Sequence, residues 1–404
     1  MVELLAPAGD FRKLEIALLY GADAVYIGGG EYSLRAAACD FSDEQLKKAI
    51  DYVHSKGKKV YVTANIIPHN DDIEPIERYA KLVASEGADG LIVADLGAFS
   101  VCKNIEPKIP LHISTQANCL NYAAAEAFFR LGATRVILAR EISAEQIAVI
   151  RKEVSPELEL EIFIHGSMCM AYSGRCVFSN YMVNRDANHG NCAQPCRWNY
   201  SLVEEKRPGE YIPIFENERG SFIFNSKDLC LVDYIKEAIS TGVDSLKIEG
   251  RAKSEYYLAS VVGAYRREID RFYSMGDDYF TDKSSAEELT KISHRVYSTG
   301  FFLGQQGEQV YNTSSYVREY DVVAVVLSYD SDKKLALLEQ RNKFFVGDSV
   351  EVLQPGGEVR GFEVKDLIGE DGETLESVPH SAMHFYSHID FHVAKDSFLR
   401  MKRS

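Results

Sequence analysis

The sequence predicts an α/β fold: a closed (β/α)₈ TIM-like barrel followed by a small all-β domain. One sequence motif occurs four times and consists of a glycine, a polar turn and a short apolar run. Its four copies are GADAVYIG from Gly21, GADGLIVA from Gly87, GATRVILA from Gly132 and GVDSLKIE from Gly242. A glycine that ends a helix just before a strand is typical of such a turn. Four more apolar runs alternate with these motifs, at Leu4–Ala6, Val60–Ala64, His112–Thr115 and Glu161–Ile164.

These eight runs are the candidate strands, and amphipathic stretches separate most of them: Asp43–Ser55, Ile73–Glu86, Ala123–Leu131 and Ala144–Lys152. Alternation of strand and helix indicates a parallel sheet, and eight units over roughly 270 residues favour a closed barrel. An open doubly wound sheet is the alternative, although Gly28–Gly30 lacks the spacing of a dinucleotide-binding loop. We expect the barrel to occupy residues 1–273, with Ser245–Ile248 as its last strand and Ser254–Tyr273 as its last helix.

The seventh unit is irregular, because the chain does not enter a helix directly after Ile164. It passes through a cysteine-rich insertion, residues 165–230, and reads as helix only from Leu229. Three runs in the insertion have strand character: Tyr200–Glu204, Tyr211–Phe215 and Ser221–Asn225. An insertion at the carboxyl end of a barrel strand lies on the face where barrel active sites form.

Residues 274–319 are predicted to be a connector with a weak helix near Glu287–His294, and residues 320–404 a small β-domain. Apolar residues there follow period two between turn signals, as in VVAVVLSY, KKLALLEQ, DSVEVLQPGG, VRGFEVKDLIG and HIDFHVA. Four histidines recur every fourth residue, and on a strand they would share a face: His380, His384, His388 and His392. A solvated or interface face is favoured over a metal site.

Composition narrows the class of protein. The 404 residues suffice for one large domain and a smaller one, and 46% hydrophobic with 26% charged residues is ordinary for a globular protein. A net charge of −15 argues against coating nucleic acid through bulk charge, although a local basic patch is compatible with it. We expect no membrane span and no signal peptide, hence a reducing cytoplasmic compartment in which clustered cysteines are ligands rather than disulfides.

Four cysteines fall within 28 residues, at the spacing C-x6-C-x15-C-x3-C, and a fifth follows: Cys169, Cys176, Cys192, Cys196 and Cys230. Thiolates gather around a positive centre, such as a metal ion or an iron–sulfur cluster. The spacing matches neither a zinc ribbon nor a ferredoxin run. From the residues alone an iron–sulfur cluster, zinc and unliganded thiols all stay open. Cys39, Cys102 and Cys119 lie in barrel-like sequence and are expected to be buried.

Other polar residues come at the ends of predicted strands, where a barrel carries its active site. His165 follows the seventh strand, and its imidazole suits catalysis or a structural hydrogen bond. Lys247, Glu249 and Arg251 lie in and after the last strand, where Arg251 pairs either with an anionic ligand or with Glu249. Further strand ends carry Asn65, Gln116, Arg140 and Glu141. Neither H-E-x-x-H nor G-x-S-x-G occurs, so the common zinc-protease and serine-hydrolase motifs are missing.

Several motifs together resemble peptidase family U32, whose members are known as collagenase-like peptidases of unassigned catalytic type. They are HGSMCMAYSGRC, NRDANHGNCAQPCRW, NSKDLC and SLKIEGR, with LLAPAGDF and GADAVYIGG near the start. The resemblance covers nearly the whole chain, including the β-domain of the longer members. Within the family the chain is most similar to the members that hydroxylate tRNA, forming 5-hydroxyuridine at the wobble position. Other members hydroxylate a 23S rRNA cytidine or act in pairs in oxygen-independent ubiquinone hydroxylation.

The resemblance implies a 4Fe–4S cluster on Cys169, Cys176, Cys192 and Cys230, with Cys196 as the alternative fourth ligand and zinc as a possible substitute. It also implies tRNA as substrate, prephenate as the oxygen-donating co-substrate, and a second family member as a possible partner.

Position and charge then suggest roles for single residues. Arg175, Lys247 and Arg251 would hold a dicarboxylate donor, with Asn65, Gln116 and Arg140 as further substrate-binding residues. His165, Arg175 and Glu249 would act in catalysis, His165 by relaying a proton or orienting the donor, and Tyr172 would stack on the uridine. Two alternatives stay open: a peptidase that uses Cys169 or a metal, and a non-catalytic iron–sulfur, redox-sensing or RNA-binding module.

Overall fold

The computed structural model describes residues 1–29, 32–33, 41–169, 176–198, 201–202, 212–213, 227–304, 316–356 and 358–403. Two compact units emerge from the distribution of contacts. The first comprises Met1–Leu14, Asp23–Ala252 and Arg295–Tyr316, and the second Glu15–Ala22, Lys253–His294 and Val317–Ser404.

The first unit contains the predicted barrel. Eight parallel strands of its described part form a closed sheet: β1 (Glu3–Pro7), β2 (Ala24–Gly28), β3 (Lys59–Ala64), β4 (Gly90–Val93), β5 (Leu111–Ile113), β6 (Arg135–Ile137), β7 (Glu159–Ser167) and, after three short strands, β11 (Ser245–Ile248). Leu246 of β11 lies opposite Leu4 of β1 and Ile162 of β7. This double pairing closes the sheet, so the closed barrel is confirmed and the open sheet is excluded.

Helices alternate with these strands: α1 (Phe11–Leu19), α2 (Asp43–Ser55), α3 (Ile73–Ser85), α4 (Leu96–Ile105), α5 (Tyr122–Leu131), α6 (Ala144–Glu153), α7 (Phe178–Val183) and α8 (Ile235–Ser240). Side-chain caps fix where several of them begin, as at Ser42, whose hydroxyl accepts the N–H of Gln45. The recurrent glycines act as expected at the other end. Gly132, for example, has φ +101° and donates its N–H to the carbonyls of Phe128 and Phe129.

The barrel interior has an apolar layer and a charged layer. Leu5, Ala24, Tyr26, Tyr61, Ile92 and Ile137 form one cluster, with Phe163 packed against it. Nearer the amino ends of the strands, the fully buried Arg135 contacts Glu3 at 2.7 Å and Glu161 at 2.8 Å. Lys247 reaches the other oxygen of Glu161 at 2.7 Å. A wholly buried carboxylate with two cationic partners is thus part of the barrel core.

The insertion after β7 differs from the sequence prediction at its end. Asp228–Cys230 is strand β10, not the start of a helix: Cys230 lies antiparallel to His165 of β7, and β10 also pairs with β12 (Tyr297–Ser298). Pairing on both edges occupies this backbone, so the helix begins later, as α8. Earlier in the insertion, β8 (Ser201–Leu202) pairs with β9 (Ile212–Pro213), and the run at 221–225 lies outside the described residues.

The second unit combines two helices with an antiparallel sheet: α9 (Glu255–Met275), α10 (Lys283–Thr290), β13 (Tyr320–Asp330), β14 (Leu335–Gln340), β15 (Ser349–Leu353), β16 (Val359–Glu363), β17 (Ile368–Gly369), β18 (His384–His388) and β19 (Phe398–Lys402). The fully buried Arg400 of β19 links helix α10 to the sheet. Its guanidinium contacts Glu288 of α10 at 2.6 Å and Glu351 of β15 at 2.9 Å. The predicted all-β domain is confirmed. The helix predicted at Glu287–His294 begins earlier and ends before His294.

The four periodic histidines do not share one strand face, because only His384 and His388 lie on β18. The predicted strand HIDFHVA is therefore wrong in its bounds. Each of the two strand histidines has a carboxylate partner, Glu339 at 3.4 Å and Asp366 at 2.6 Å respectively. No metal-competent side-chain group among the described residues includes any of the four. Likewise, no helix in the described ranges is both long and apolar enough for a membrane crossing.

Candidate functional site

A polar pocket lies at the carboxyl ends of the barrel strands. The space between its walls is about 610 Å³, part of which is open solvent. Seven residues nominated from the sequence line it: Asn65, Gln116, Arg140, Cys169, Lys247, Glu249 and Arg251. Strand ends that are distant in sequence therefore meet around one cavity, as the barrel topology requires.

The same wall contains residues that the sequence reasoning missed: Tyr26, Thr63, Ile92, Ser114, Thr115, Ile137 and Phe163. Most of these lie within strands rather than after them. The sequence feature that could have indicated them is the alternation of side chains along each strand, because every second residue of a barrel strand faces the interior. Only the closed barrel tells which of the two faces is the interior one.

Two arginines present positive charge to the pocket. Arg251 is almost fully buried, and its Nη1 donates to the Thr63 hydroxyl at 3.3 Å. Arg140 donates from Nη1 to the Ser167 carbonyl at 2.8 Å and lies 5.2 Å from the centre of the Phe163 ring. The Arg140 Nε is buried and has no hydrogen-bond partner among the described residues. A buried donor of this kind is costly unless a ligand or water accepts from it.

Amide and hydroxyl groups line the wall formed by β3 and β5. The Asn65 Nδ2 donates to the Gln116 Oε1 at 3.3 Å, and the Ser114 hydroxyl donates to the same oxygen. Side-chain amides can both donate and accept, so this wall suits a ligand that presents both kinds of group.

On the opposite wall, Glu249 is fixed by its neighbours. The Tyr26 hydroxyl lies 3.0 Å from the Ile248 carbonyl and 3.2 Å from the Glu249 Oε2. The Glu249 backbone N–H donates to the His165 carbonyl at 2.9 Å. Gly166 approaches the same backbone with φ +117°, and a Cβ placed there would lie 2.7 Å from the Glu249 carbonyl oxygen.

Replacing Gly166 with alanine is therefore expected to destabilise the barrel by about 3 kcal/mol, through backbone strain and the clash with Glu249. The free energy of unfolding in urea measures this. Gly57→Ala is the matched control, because Gly57 also has positive φ (+67°) but has open space where the Cβ would lie. The control should cost about 1 kcal/mol. Equal losses in the two variants would contradict a role for the close approach to Glu249.

Lys247 lines the pocket, and its ammonium group is paired with the carboxylate of Glu161. Burial by itself disfavours the charged form of Glu161, but the charges and hydrogen bonds of Lys247 and Arg135 outweigh it and hold the pKa of Glu161 below its ordinary value. The Lys247 ammonium also lies 4.4 Å from the centre of the Tyr26 ring. Its charge is thus largely balanced within the barrel by Glu161, whereas the buried Nε of Arg140 has no hydrogen-bond partner among the described residues.

Three cysteine thiols are close enough for the charges of two of them to act on the third, and one of the three lines this pocket. Cys169 lines it and is exposed, Cys192 is exposed, and Cys176 is partly buried. Burial raises the pKa of the Cys176 thiol, the backbone N–H groups of Phe178 and Ser179 oppose this, and the nearby charges of Cys169 and Cys192 raise it further. Backbone N–H groups directed at a sulfur are also a feature of iron–sulfur sites. Thiols are the donors that a cluster or zinc takes, but in the described part of the chain these three sulfur atoms do not form a group within 4.8 Å of one another.

The fourth ligand is not decided by position. Cys230 ends β10 opposite His165, and Cys196 lies in a helical turn at Pro195–Arg197. Both are partly buried. Cys102 and Cys119 are buried as expected, and burial raises the pKa of each thiol to about 11.

Several nominated residues are not among the described residues that line the pocket, and besides the other four cysteines Glu141 is one of them. His165 is buried in β7, with its ring centre 5.4 Å from that of Tyr297, and does not line the pocket. Tyr172 and Arg175 lie outside the described residues, as does Cys39.

The fold and the site define a (β/α)₈ barrel protein with a cationic pocket and thiols at its mouth. Residues 9–312 match peptidase family U32, and residues 318–400 match the C-terminal domain of that family. The chain therefore belongs to peptidase family U32.

Named relatives extend this comparison. The tRNA hydroxylation protein P1 of Bacillus subtilis (strain 168) is 41% identical over 380 residues, which is 94% of this chain and 89% of the relative. The tRNA hydroxylation protein P of Escherichia coli (strain K12) is 38% identical over 418 residues, 93% of this chain and 91% of the relative. The 23S rRNA 5-hydroxycytidine C2501 synthase of Escherichia coli (strain K12) is 36% identical over 313 residues, 76% of this chain but 46% of that longer protein.

Proposed function

We propose that this protein is a tRNA-modifying hydroxylase that forms 5-hydroxyuridine at the wobble position. Two relatives that align over more than nine-tenths of the chain are named for tRNA hydroxylation, and a third for hydroxylation of rRNA. The observation that carries the proposal is that Cys169 lines the same pocket as Arg140 and Arg251. A thiol-based redox centre and an anion-binding site would then share one cavity.

The proposed redox centre is a 4Fe–4S cluster held by Cys169, Cys176, Cys192 and either Cys230 or Cys196. Support comes from the proximity of the first three thiols and from the N–H groups directed at Cys176. A bound cluster would supply one-electron redox chemistry at the pocket mouth. Zinc would fit the same thiols but carries no redox function.

The proposed oxygen donor is prephenate, a dicarboxylate. Its C–OH would become C–H as the C5–H of uracil becomes C5–OH, so reduction of the donor would balance the two-electron oxidation of the base and dioxygen would not be required. Arg140 and Arg251 would bind its carboxylates through charge-assisted hydrogen bonds, which are about twice as strong as neutral ones. The unpartnered Nε of Arg140 supports this assignment, because a carboxylate would satisfy it. Lys247 would attract the carboxylates of the donor more weakly than the two arginines, because Glu161 already neutralises most of its charge.

The target base would be turned out of the anticodon stack into the pocket, as in other enzymes that act on a base. The amides of Asn65 and Gln116 suit the donor and acceptor groups of uracil. Glu249, held by the Tyr26 hydroxyl, is the group best placed to accept a proton. We propose that His165 acts as a positioning residue, because its carbonyl accepts from the Glu249 N–H.

The proposal is tested on tRNA. Deleting the gene should abolish 5-hydroxyuridine in tRNA nucleosides measured by mass spectrometry, and the intact gene should restore it. Purified anaerobic protein should then hydroxylate unmodified tRNA only when prephenate is present. Unchanged 5-hydroxyuridine in the deletion strain would refute the proposal, and cleavage of peptides by the same protein would favour a peptidase. A second family member as a possible heteromeric partner stays a prediction.

Arg140→Met is expected to lower kcat/KM for prephenate about 10- to 100-fold, because losing a hydrogen bond to a charged group costs about 1.5 to 3 kcal/mol. Steady-state kinetics with varied prephenate measure this, and the loss should lie mainly in KM. Arg130→Met is the matched control: Arg130 is exposed on α5 and pairs with Glu126 of the same helix. An unchanged KM in Arg140→Met would remove Arg140 from the donor site.

A further inference from the structure

A second group of metal-ligating side chains lies outside the cysteine site. It joins the loop after β3 to the segment between Cys176 and Cys192. One ligand atom each from His69, Asp186 and His189 lies within 4.8 Å of the others. The rings of His69 and His189 stack with their centres 5.1 Å apart and their planes 26° apart. Two imidazoles and a carboxylate therefore converge from positions more than 110 residues apart.

Asp72 contacts the ring of His189 on the nitrogen that faces away from Asp186. The His189 Nε2 lies 3.1 Å from the Asp72 Oδ2, and the His189 Nδ1 faces the Asp186 Oδ2 at 4.0 Å. The Asp72 Oδ2 also accepts the backbone N–H of His69 at 2.6 Å, which fixes its direction. A carboxylate that holds one ring nitrogen of a histidine, so that the other can bind a metal, is the usual outer support of histidine ligands.

We propose that His69, Asp186 and His189 form a site for one divalent transition-metal ion of the zinc type, with Asp72 orienting His189. Imidazole and carboxylate ligands suit zinc and related ions, at metal–ligand distances of about 2.0 to 2.2 Å. Two ligand atoms of a tetrahedral ion at such distances lie about 3.3 to 3.6 Å apart. The His189 Nδ1 and the Asp186 Oδ2 are 4.0 Å apart, so they would approach each other by roughly half an ångström on binding. The two aspartates supply the negative charge that stabilises a dication. Partial exposure of the group leaves room for water as a further ligand.

The ion would fasten the cysteine-bearing segment to the barrel. The Ile67 N–H already donates to the Asn188 carbonyl at 2.9 Å, and the Asn188 side chain donates to the Cys176 carbonyl at 3.1 Å. Asn188 lies between the proposed ligands Asp186 and His189. Binding of the metal would thus hold the backbone next to Cys176 in place without using any thiol.

Zinc content and zinc-edge X-ray absorption test the site on the full chain, purified anaerobically and dialysed against Zn²⁺. This edge is not obscured by iron. We expect one zinc per chain with nitrogen and oxygen neighbours near 2.0 Å and imidazole scattering, distinct from sulfur near 2.3 Å. His69→Ala combined with His189→Ala should lose this zinc. His54→Ala should retain it, because His54 pairs with the single carboxylate of Asp89.

Three results would overturn the site: no zinc retained by the wild type, a shell of sulfur alone, or full retention of nitrogen-bound zinc by the double variant. If the double variant does not fold, His69→Gln decides instead, because His69 is exposed. Amide hydrogen exchange gives an independent readout. At zinc about 100 times its Kd, exchange at Ile67 and Asn191 should slow by up to about 100-fold in the wild type and not in the variant.

Discussion

Replacing Glu161 with glutamine is expected to lower the free energy of unfolding by about 3 to 5 kcal/mol, the usual cost of breaking a buried ion pair from one side. Glu161 is fully buried and receives Lys247 at one oxygen and Arg135 at the other. A neutral amide would leave both cations in the barrel with less compensating charge. Urea unfolding followed by far-UV circular dichroism measures the loss.

Glu159→Gln is the matched control for this variant. Glu159 lies on the same strand and contacts the same Arg135 at 2.7 Å, but its side chain is 43% exposed. Exposed pairs contribute about 0 to 1 kcal/mol, so the control should lose less than about 1 kcal/mol. Similar losses in the two variants would show that burial does not set the strength of this network.

The difference between wild type and Glu161→Gln should also depend on pH. Because the folded pKa of Glu161 is lowered, its contribution is fully present above the unfolded value of about 4.3. It is lost as the pH falls through the lower folded pKa. The two proteins should therefore converge in stability as the pH falls below about 4. A stability difference that does not change with pH would mean that the charge of Glu161 is not what stabilises the barrel.

The barrel could be predicted because its signals are local. A glycine that must adopt positive φ ends a helix, and a short apolar run follows, whatever the rest of the chain does. Strand β10 could not be predicted from local signals. Its backbone pairs with β7 and β12, which are far away in sequence, and this pairing overrides the helical pattern that begins near Leu229. The strand bounds in the β-domain were wrong near HIDFHVA, because β18 ends at His388, the first residue of this run, and the next strand, β19, begins only at Phe398.

The candidate site was predictable only in part, for a similar reason. Residues that directly follow a strand, such as Asn65 and Glu249, must lie at the mouth of a barrel. Residues inside strands, such as Thr63 and Phe163, reach the pocket only through the register and tilt of the closed sheet. The histidine and aspartate group was invisible in sequence, because no metal-binding spacing links His69 to Asp186 and His189.

Replacing Cys176 with serine is expected to reduce iron from about four per chain to below one and to abolish 5-hydroxyuridine formation. Cys176 is the partly buried member of the three neighbouring thiols, and the charges of Cys169 and Cys192 act on it. A serine hydroxyl is a harder ligand than a thiolate and does not ionise at neutral pH, so it would not replace the sulfur. Iron and sulfide analysis of anaerobic protein and nucleoside mass spectrometry of tRNA measure the two losses.

Cys102→Ala is the matched control, because it also removes one thiol but from the buried face of α4. It should keep both iron and activity. Cys196→Ser and Cys230→Ser then identify the fourth ligand: one of the two should behave like Cys176→Ser and the other like the control. Full hydroxylation by Cys176→Ser would exclude a catalytic cluster. Stoichiometric zinc in the anaerobic wild type, bound through sulfur, would instead assign the thiols a structural role and leave the arginine-lined pocket without a redox partner.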